Sequence, residues 1–158
     1  VLIAVCDFGE TPKILLTKRA SGLKHHPGQI AFPGGKIDPD DDGPIAAALR
    51  ESREEAGLDQ AIVRVIATLP SHETVTGFSV TPVLSVVSKP FAPVPEPGEV
   101  DEVFFVPLDF LLDPDNYKVE RRMWLGQERA YYTVPYGPYY IWGATARVLR
   151  GLAERVGP

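Results

Sequence analysis

The chain holds one cysteine, Cys6, in 158 residues. No disulfide can form within it, and a reducing cytoplasm is the expected setting. No apolar run approaches the roughly 18 residues that a membrane-crossing helix needs. Positive charge is also scarce. Lys and Arg number 16 against 21 Asp and Glu, for a formal net charge of -5. That balance excludes a general grip on nucleic-acid phosphates, so an anionic ligand needs a local basic patch. A starting methionine is missing as well: the chain opens on Val1 inside "VLIAVCDF", already strand-like. The reading is that N-terminal residues are absent from it. What remains, 44% hydrophobic and 23% charged, is enough apolar material for one globular domain over residues 1–158.

Residues 1–8 and 12–19 are predicted strands around a Gly-Glu-Thr-Pro turn. The polar stretch "ASGLKHHPG" leads to a short apolar strand, "QIAFPGG", and then to an Asp-rich loop, 36–43. A helix follows over 44–56. Pro44 is tolerated in a first turn, Asp41 and Asp42 suit the positive helix end, and Gly57 stops it. Further strands are expected at 61–69, 74–88, 99–107, 116–125 and 129–134. Segment 89–98, "KPFAPVPEPG", reads as a stiff extended connection. A last helix over 142–155 carries Ala146, Leu149 and Leu152 at helical spacing. The pattern predicts an α+β fold with a mixed sheet, one central and one terminal helix, in an αβα sandwich.

The central helix contains "LRESREEAGL". Ile45, Leu49, Ser52 and Ala56 share a stripe expected to be buried. Glu51, Glu54 and Glu55 fall nearly opposite it, within an arc of about 100°. Like charges so placed cost a few tenths of a kcal/mol per pair. They form either a solvated acidic face or a site for Mg²⁺ or Mn²⁺, ions that favour carboxylate oxygens. Arg50, four residues before Glu54, is placed to hold it. The upstream "DPDDDGPI" imitates a calcium-binding loop at Asp38, Asp40, Asp42 and Gly43. Its twelfth position is Leu49 where a bidentate Glu belongs, so capping and turning are the expected roles.

Residues 35–58 resemble the Nudix box through Gly35, Asp42, Arg50, Glu51, Glu54, Glu55, Gly57 and Leu58. Two departures lie in its first half: six residues rather than five precede the acid, and that acid is Asp42 instead of Glu. Ser52 also stands at a normally aliphatic place. Upstream, "LLTKRASGLKHHPGQIAFPGG" is similar to the signature of Nudix coenzyme A pyrophosphatases. Ala20 replaces its Ser, and Lys24 replaces its Arg, which keeps charge but loses the planar fork.

The resemblance implies a Nudix αβα sandwich around a catalytic helix. It implies Mg²⁺-dependent hydrolysis (Mn²⁺ as substitute) of the diphosphate of coenzyme A or a derivative, giving 3′,5′-ADP and 4′-phosphopantetheine. Glu51 and Glu55 are the implied main metal ligands, with Glu54 sharing a second ion or taking a proton from water. Carbonyls around Gly35 add a ligand, and Arg50 orients the glutamates. A general base is expected outside the box, at Glu99 first, with Glu102 and Glu73 as alternatives. Arg19, Lys24, His25 and Gly34 are the expected substrate-binding residues, with His26 in the same basic stretch. The aromatics of "AYYTVPYGPYYIW" are read as packing or as a platform for adenine. Partners are expected to be a coenzyme A-like nucleotide and, in a homodimer, a second copy, with no nucleic acid or membrane. The alternatives are a pyrophosphatase for ADP-ribose, dinucleotides or oxidised nucleotides, and a nucleotide-binding domain without turnover.

Overall fold

The computed structural model describes residues 1–9 and 11–156. Glu10 of the predicted first turn, Gly157 and Pro158 lie outside the described residues. Strands β1 (Leu2–Cys6) and β2 (Lys13–Arg19) pair antiparallel, with Val5 opposite Ile14. The farther half of β2 instead pairs with β3 (Ile30–Ala31), Thr17 facing Ala31. β1 and β3 therefore share one edge of β2. Helix α1 (Gly43–Ala56) comes next, then β4 (Val63–Thr68) and a small hairpin of β5 (His72–Glu73) and β6 (Ser79–Val80). β7 (Val83–Val87) runs parallel to β1 and antiparallel to β4, and β8 (Val100–Pro107) covers the other side of β2. The short α2 (Leu108–Leu112), a ribbon of β9 (Lys118–Trp124) and β10 (Gln127–Thr133), and α3 (Gly143–Val156) complete the chain.

Alternation along the strands sends apolar side chains to both faces of this mixed sheet. Leu2, Ala4, Leu15, Val83 and Val87 pack with Ala48, Ala56 and Leu58 on the α1 side. Ile3, Ile14, Leu16, Phe104 and Val106 pack with Leu111, Leu149 and Leu152 on the α2–α3 side. Each fully buried Leu or Ile contributes about 1.5–3 kcal/mol, and helices on both faces make the αβα sandwich. No helix among the described residues is long and apolar enough to cross a membrane.

Two expectations need correction. The strand predicted over 74–88 is interrupted. Gly77, at φ +86°, closes a turn in which the Thr74 N–H donates to the Phe78 carbonyl at 2.8 Å, and Pro82 has no N–H to donate. Residues 108–112, between the strands predicted at 99–107 and 116–125, form the short helix α2. The buried stripe of α1 is Ala47, Ala48, Ser52 and Ala56, while Ile45 is 39% exposed and Leu49 only half-buried. Small side chains let the helix lie close to the sheet. The Ser52 hydroxyl donates to the Ala48 carbonyl at 2.7 Å, so its burial leaves no unpaired polar group.

That shift of the buried stripe matters for the glutamates. Counting from buried Ala48, Glu51 stands at i+3 and Glu55 at i+7, positions that share a helix stripe. Both are drawn to the edge of the core, whereas Glu54 stays outside.

Candidate active site

Two glycines place the backbone against that edge. The Leu2 N–H donates to the Pro33 carbonyl at 2.9 Å, which anchors the chain leaving β3. Gly35 then passes so close to α1 that a Cβ there would lie 2.6 Å from Glu51 Oε1. Any larger residue there must push the Glu51 carboxylate aside. The Gly34 backbone N–H lies close enough to the Glu55 carboxylate to favour its charged form. Burial first, and then the charge of Glu51, push the Glu55 carboxyl up to about 8, with the Gly34 N–H and the charge of Arg19 opposing the shift. Gly35→Ala should displace Glu51 without unfolding the chain, since its φ lies outside the left-handed region. The expected result is loss of most activity at an unchanged thermal midpoint.

Among the described residues no three His, Cys, Asp or Glu side chains converge as a finished metal cluster. The pair nevertheless fits a hard divalent cation: two oxygen-donor groups face each other, partly buried, and repel until positive charge lies between them. Glu54 is turned away, with both carboxylate oxygens 3.4 Å from Arg50 Nη1.

Arg50 ties the loop to the helix. Its Nε and Nη2 donate to Asp41 Oδ1 and Oδ2 at 2.9 Å each, a bidentate pair. Nη2 also reaches the Lys36 carbonyl at 3.2 Å, and Nη1 donates to Glu51 Oε1 at 3.0 Å. The paired guanidinium holds the Asp41 carboxyl below its ordinary range. The expected box acid, Asp42, makes no such contact. It is the N-cap residue of α1, without a side-chain capping bond. Five residues separate Gly35 from Asp41, so the extra residue lies after it, where Gly43 adopts φ +87°. Asp41→Asn is expected to cost about 10- to 100-fold in activity, as for partners that orient ligands. Asp42→Asn should cost little, and kinetics of the two variants side by side decide it.

The proline segment covers the end of α1. Its Val94 and Glu96 N–H groups donate to the carbonyls of Ala56 and Glu55 at 3.0 and 3.1 Å. This satisfies helix-end acceptors and delivers Glu96 to the acidic face. Burial, then the charges of Glu99, Glu54 and Glu51, raise the Glu96 pKa. Glu96 was not among the residues expected from sequence. The signal was its place in "EPGE", three before Glu99. Glu99 is exposed and joins the same field from the next turn. Glu102 accepts a 2.7 Å hydrogen bond from the Tyr139 hydroxyl, whose ring stacks on Phe104. That is the α3 side of the sheet, away from the pair.

The basic stretch is dispersed. The Arg19 guanidinium donates to the carbonyls of His25 and His26 at 3.0–3.3 Å and so shapes the loop, while Lys24 and His25 are exposed. His26 instead borders a cavity of about 590 Å³. Its wall includes His72, Glu73, Trp124, Tyr131, Trp142 and Arg147. Tyr136 and Tyr139 pack against the core, and Tyr140 is half-exposed. Burial and the Arg147 charge lower the His72 pKa. Cys6 is buried, which pushes its thiol up to about 12, the opposite of what a nucleophile needs.

Residues 1–125 match the NUDIX domain family. The chain is 41% identical over 151 residues to the uncharacterized Nudix hydrolase NudL of Enterobacter sp. (strain 638), covering 94% of this chain and 77% of that protein. Among solved structures it is similar to a Nudix hydrolase from M. smegmatis, RenU, at 27% identity and a TM-score of 0.57 over 68% of each chain. The MutT protein of Methanosarcina mazei Go1 shares the fold at 21% identity and a TM-score of 0.59, over 98% of this chain and 91% of that one. A carboxylate pair on a helix, wedged against two glycines and braced by one arginine, is thus found in a chain that belongs to the Nudix hydrolase family.

Proposed function

We propose that the chain hydrolyses the diphosphate bond of coenzyme A or a derivative, releasing 3′,5′-ADP and 4′-phosphopantetheine. The observation that carries the chemistry is the Glu51–Glu55 pair, closed by Gly34 and Gly35. The coenzyme A assignment is supported by the "LLTKRASGLKHHPGQIAFPGG" signature.

Glu51 and Glu55 would hold Mg²⁺, or Mn²⁺, with a carbonyl near Gly35. When bound, the ion neutralises diphosphate charge and favours attack on phosphorus. Arg50 keeps Glu51 and Glu54 in place and binds the Lys36–Asp41 loop to the helix. Water oxygen forms the new bond to phosphorus, the bridging phosphorus–oxygen bond breaks, and the proton of the water passes to a carboxylate. Glu96, Glu99 and Glu54 are the carboxylates gathered to take it. Glu96 suits the role best, because it is half-buried beside the glutamates of the helix and its pKa is raised.

The test is a panel of coenzyme A, ADP-ribose, NADH and nucleoside triphosphates with Mg²⁺, products resolved by mass. Coenzyme A should give 3′,5′-ADP as the leading product. Preferred turnover of ADP-ribose or a triphosphate would overturn the substrate assignment. No turnover of any diphosphate would overturn the enzyme reading.

A further inference from the structure

The cavity between the β5–β6 hairpin, the β9–β10 ribbon and the start of α3 lies outside the carboxylate chemistry. One wall is aromatic: Tyr131 meets Trp142 edge-on, ring centroids 5.3 Å apart. The Arg122 guanidinium sits 5.3 Å from the Trp142 ring and 5.8 Å from that of Trp124. In a chain of net charge -5, this lining reverses sign. Arg122, Arg129 and Arg147 contribute cations, and Glu73 is its one acid. The first residues of α3, Gly143 and Ala144, belong to the same wall, so the positive end of a 14-residue helix adds to the field. His72 Nε2 is buried and has no hydrogen-bond partner, a vacancy that native proteins rarely leave without a purpose.

Aromatic planes call for a planar ring to stack on them, and the cations call for an anion. A volume of about 590 Å³ lies within the range of small-molecule sites. Arg19 links the rim of the cavity to the glutamates. His26 on its rim accepts from Arg19, whose charge acts on Glu55.

We propose that this cavity is a specificity pocket for a phosphorylated purine nucleoside, stacked on Trp142 beside Tyr131, with its phosphate held by Arg147 and His72. The proposal rests on the diphosphatase reading. In coenzyme A the matching group is the adenosine 3′-phosphate, an anion distinct from the diphosphate that is cleaved. Recognition of that phosphate thereby passes from Lys24 and His25, which do not line the cavity, to residues far along the chain.

Both tryptophans of the chain, Trp124 and Trp142, line the cavity, so their fluorescence reports on it directly. The experiment titrates the metal-free chain with adenosine 3′,5′-bisphosphate, adenosine 5′-monophosphate and adenosine. The bisphosphate is expected to quench and to bind about tenfold or more tighter than the monophosphate, the worth of a charge-assisted contact. Arg147→Ala should erase that advantage, and Arg147→Lys should restore part of it, which separates phosphate contact from loss of packing. On intact substrates, Arg147→Ala should raise the KM for coenzyme A far more than that for dephospho-coenzyme A. Equal affinity for bisphosphate and monophosphate in the unaltered chain would overturn the proposal. So would quenching by pantetheine instead. Coenzyme A hydrolysis without any bisphosphate signal sinks the pocket but leaves the diphosphatase standing. Bisphosphate binding without coenzyme A hydrolysis does the reverse.

Discussion

Glu55→Gln should lower activity by about three orders of magnitude, the several kcal/mol expected when the metal-binding donor set is broken. The same change should leave the metal-free chain as stable as before, or raise its thermal midpoint. A charged Glu55 is partly desolvated and repelled by Glu51, and an amide of the same shape is not. The sign can be followed through pH. The Glu55 pKa rises from an ordinary 4.5 to about 8 on folding, so between those values the folded chain keeps a proton that the unfolded chain has lost. Stability from this group is complete below about 4.5 and is lost as pH rises through about 8. Thermal scans from pH 4 to 9 without metal should show the decline in the unaltered chain and a flatter profile in Glu55→Gln. A variant that unfolds early, or keeps near-normal turnover at limiting Mg²⁺, contradicts the assignment.

Glu96→Gln should lower kcat by about 10²–10⁴-fold, the usual contribution of a positioned general base, and leave Mg²⁺ affinity nearly unaltered. The structure favours Glu96 over Glu99 because Glu96 is half-buried and shares its field with Glu54 and Glu51. Glu99 contributes to that field by helping to raise the Glu96 pKa. Glu99→Gln should therefore cost about tenfold and move the acidic limb of the rate profile to lower pH. The comparison needs both variants measured across pH at saturating Mg²⁺. Should Glu99→Gln produce the larger loss and abolish that limb, the base is Glu99, as the sequence had suggested. Should neither lose more than tenfold, the proton goes to Glu54.

Local rules in the chain determined more of this protein than its length would suggest. The αβα class followed from strands whose alternation buries both faces and from helices bounded by Pro44 and Gly57. The Glu51, Glu54 and Glu55 constellation followed from helical spacing, because positions three and four apart must be neighbours on any helix. Only tertiary structure decided which face of α1 is buried. That choice depends on how closely Ala48, Ser52 and Ala56 approach the sheet, and it separates Glu55 at the core edge from Glu54 in solvent. Tertiary structure also made Asp41 rather than Asp42 the partner of Arg50, because loop geometry around Gly43 is not a periodic property. It brought Glu96 onto the helix through backbone hydrogen bonds that no side chain advertises. The basic cavity depended on it most. Its walls come from residues 26, 72, 122, 129, 142 and 147, and cations so far apart in sequence form a patch only when strand pairing and the packing of α3 place them around one space.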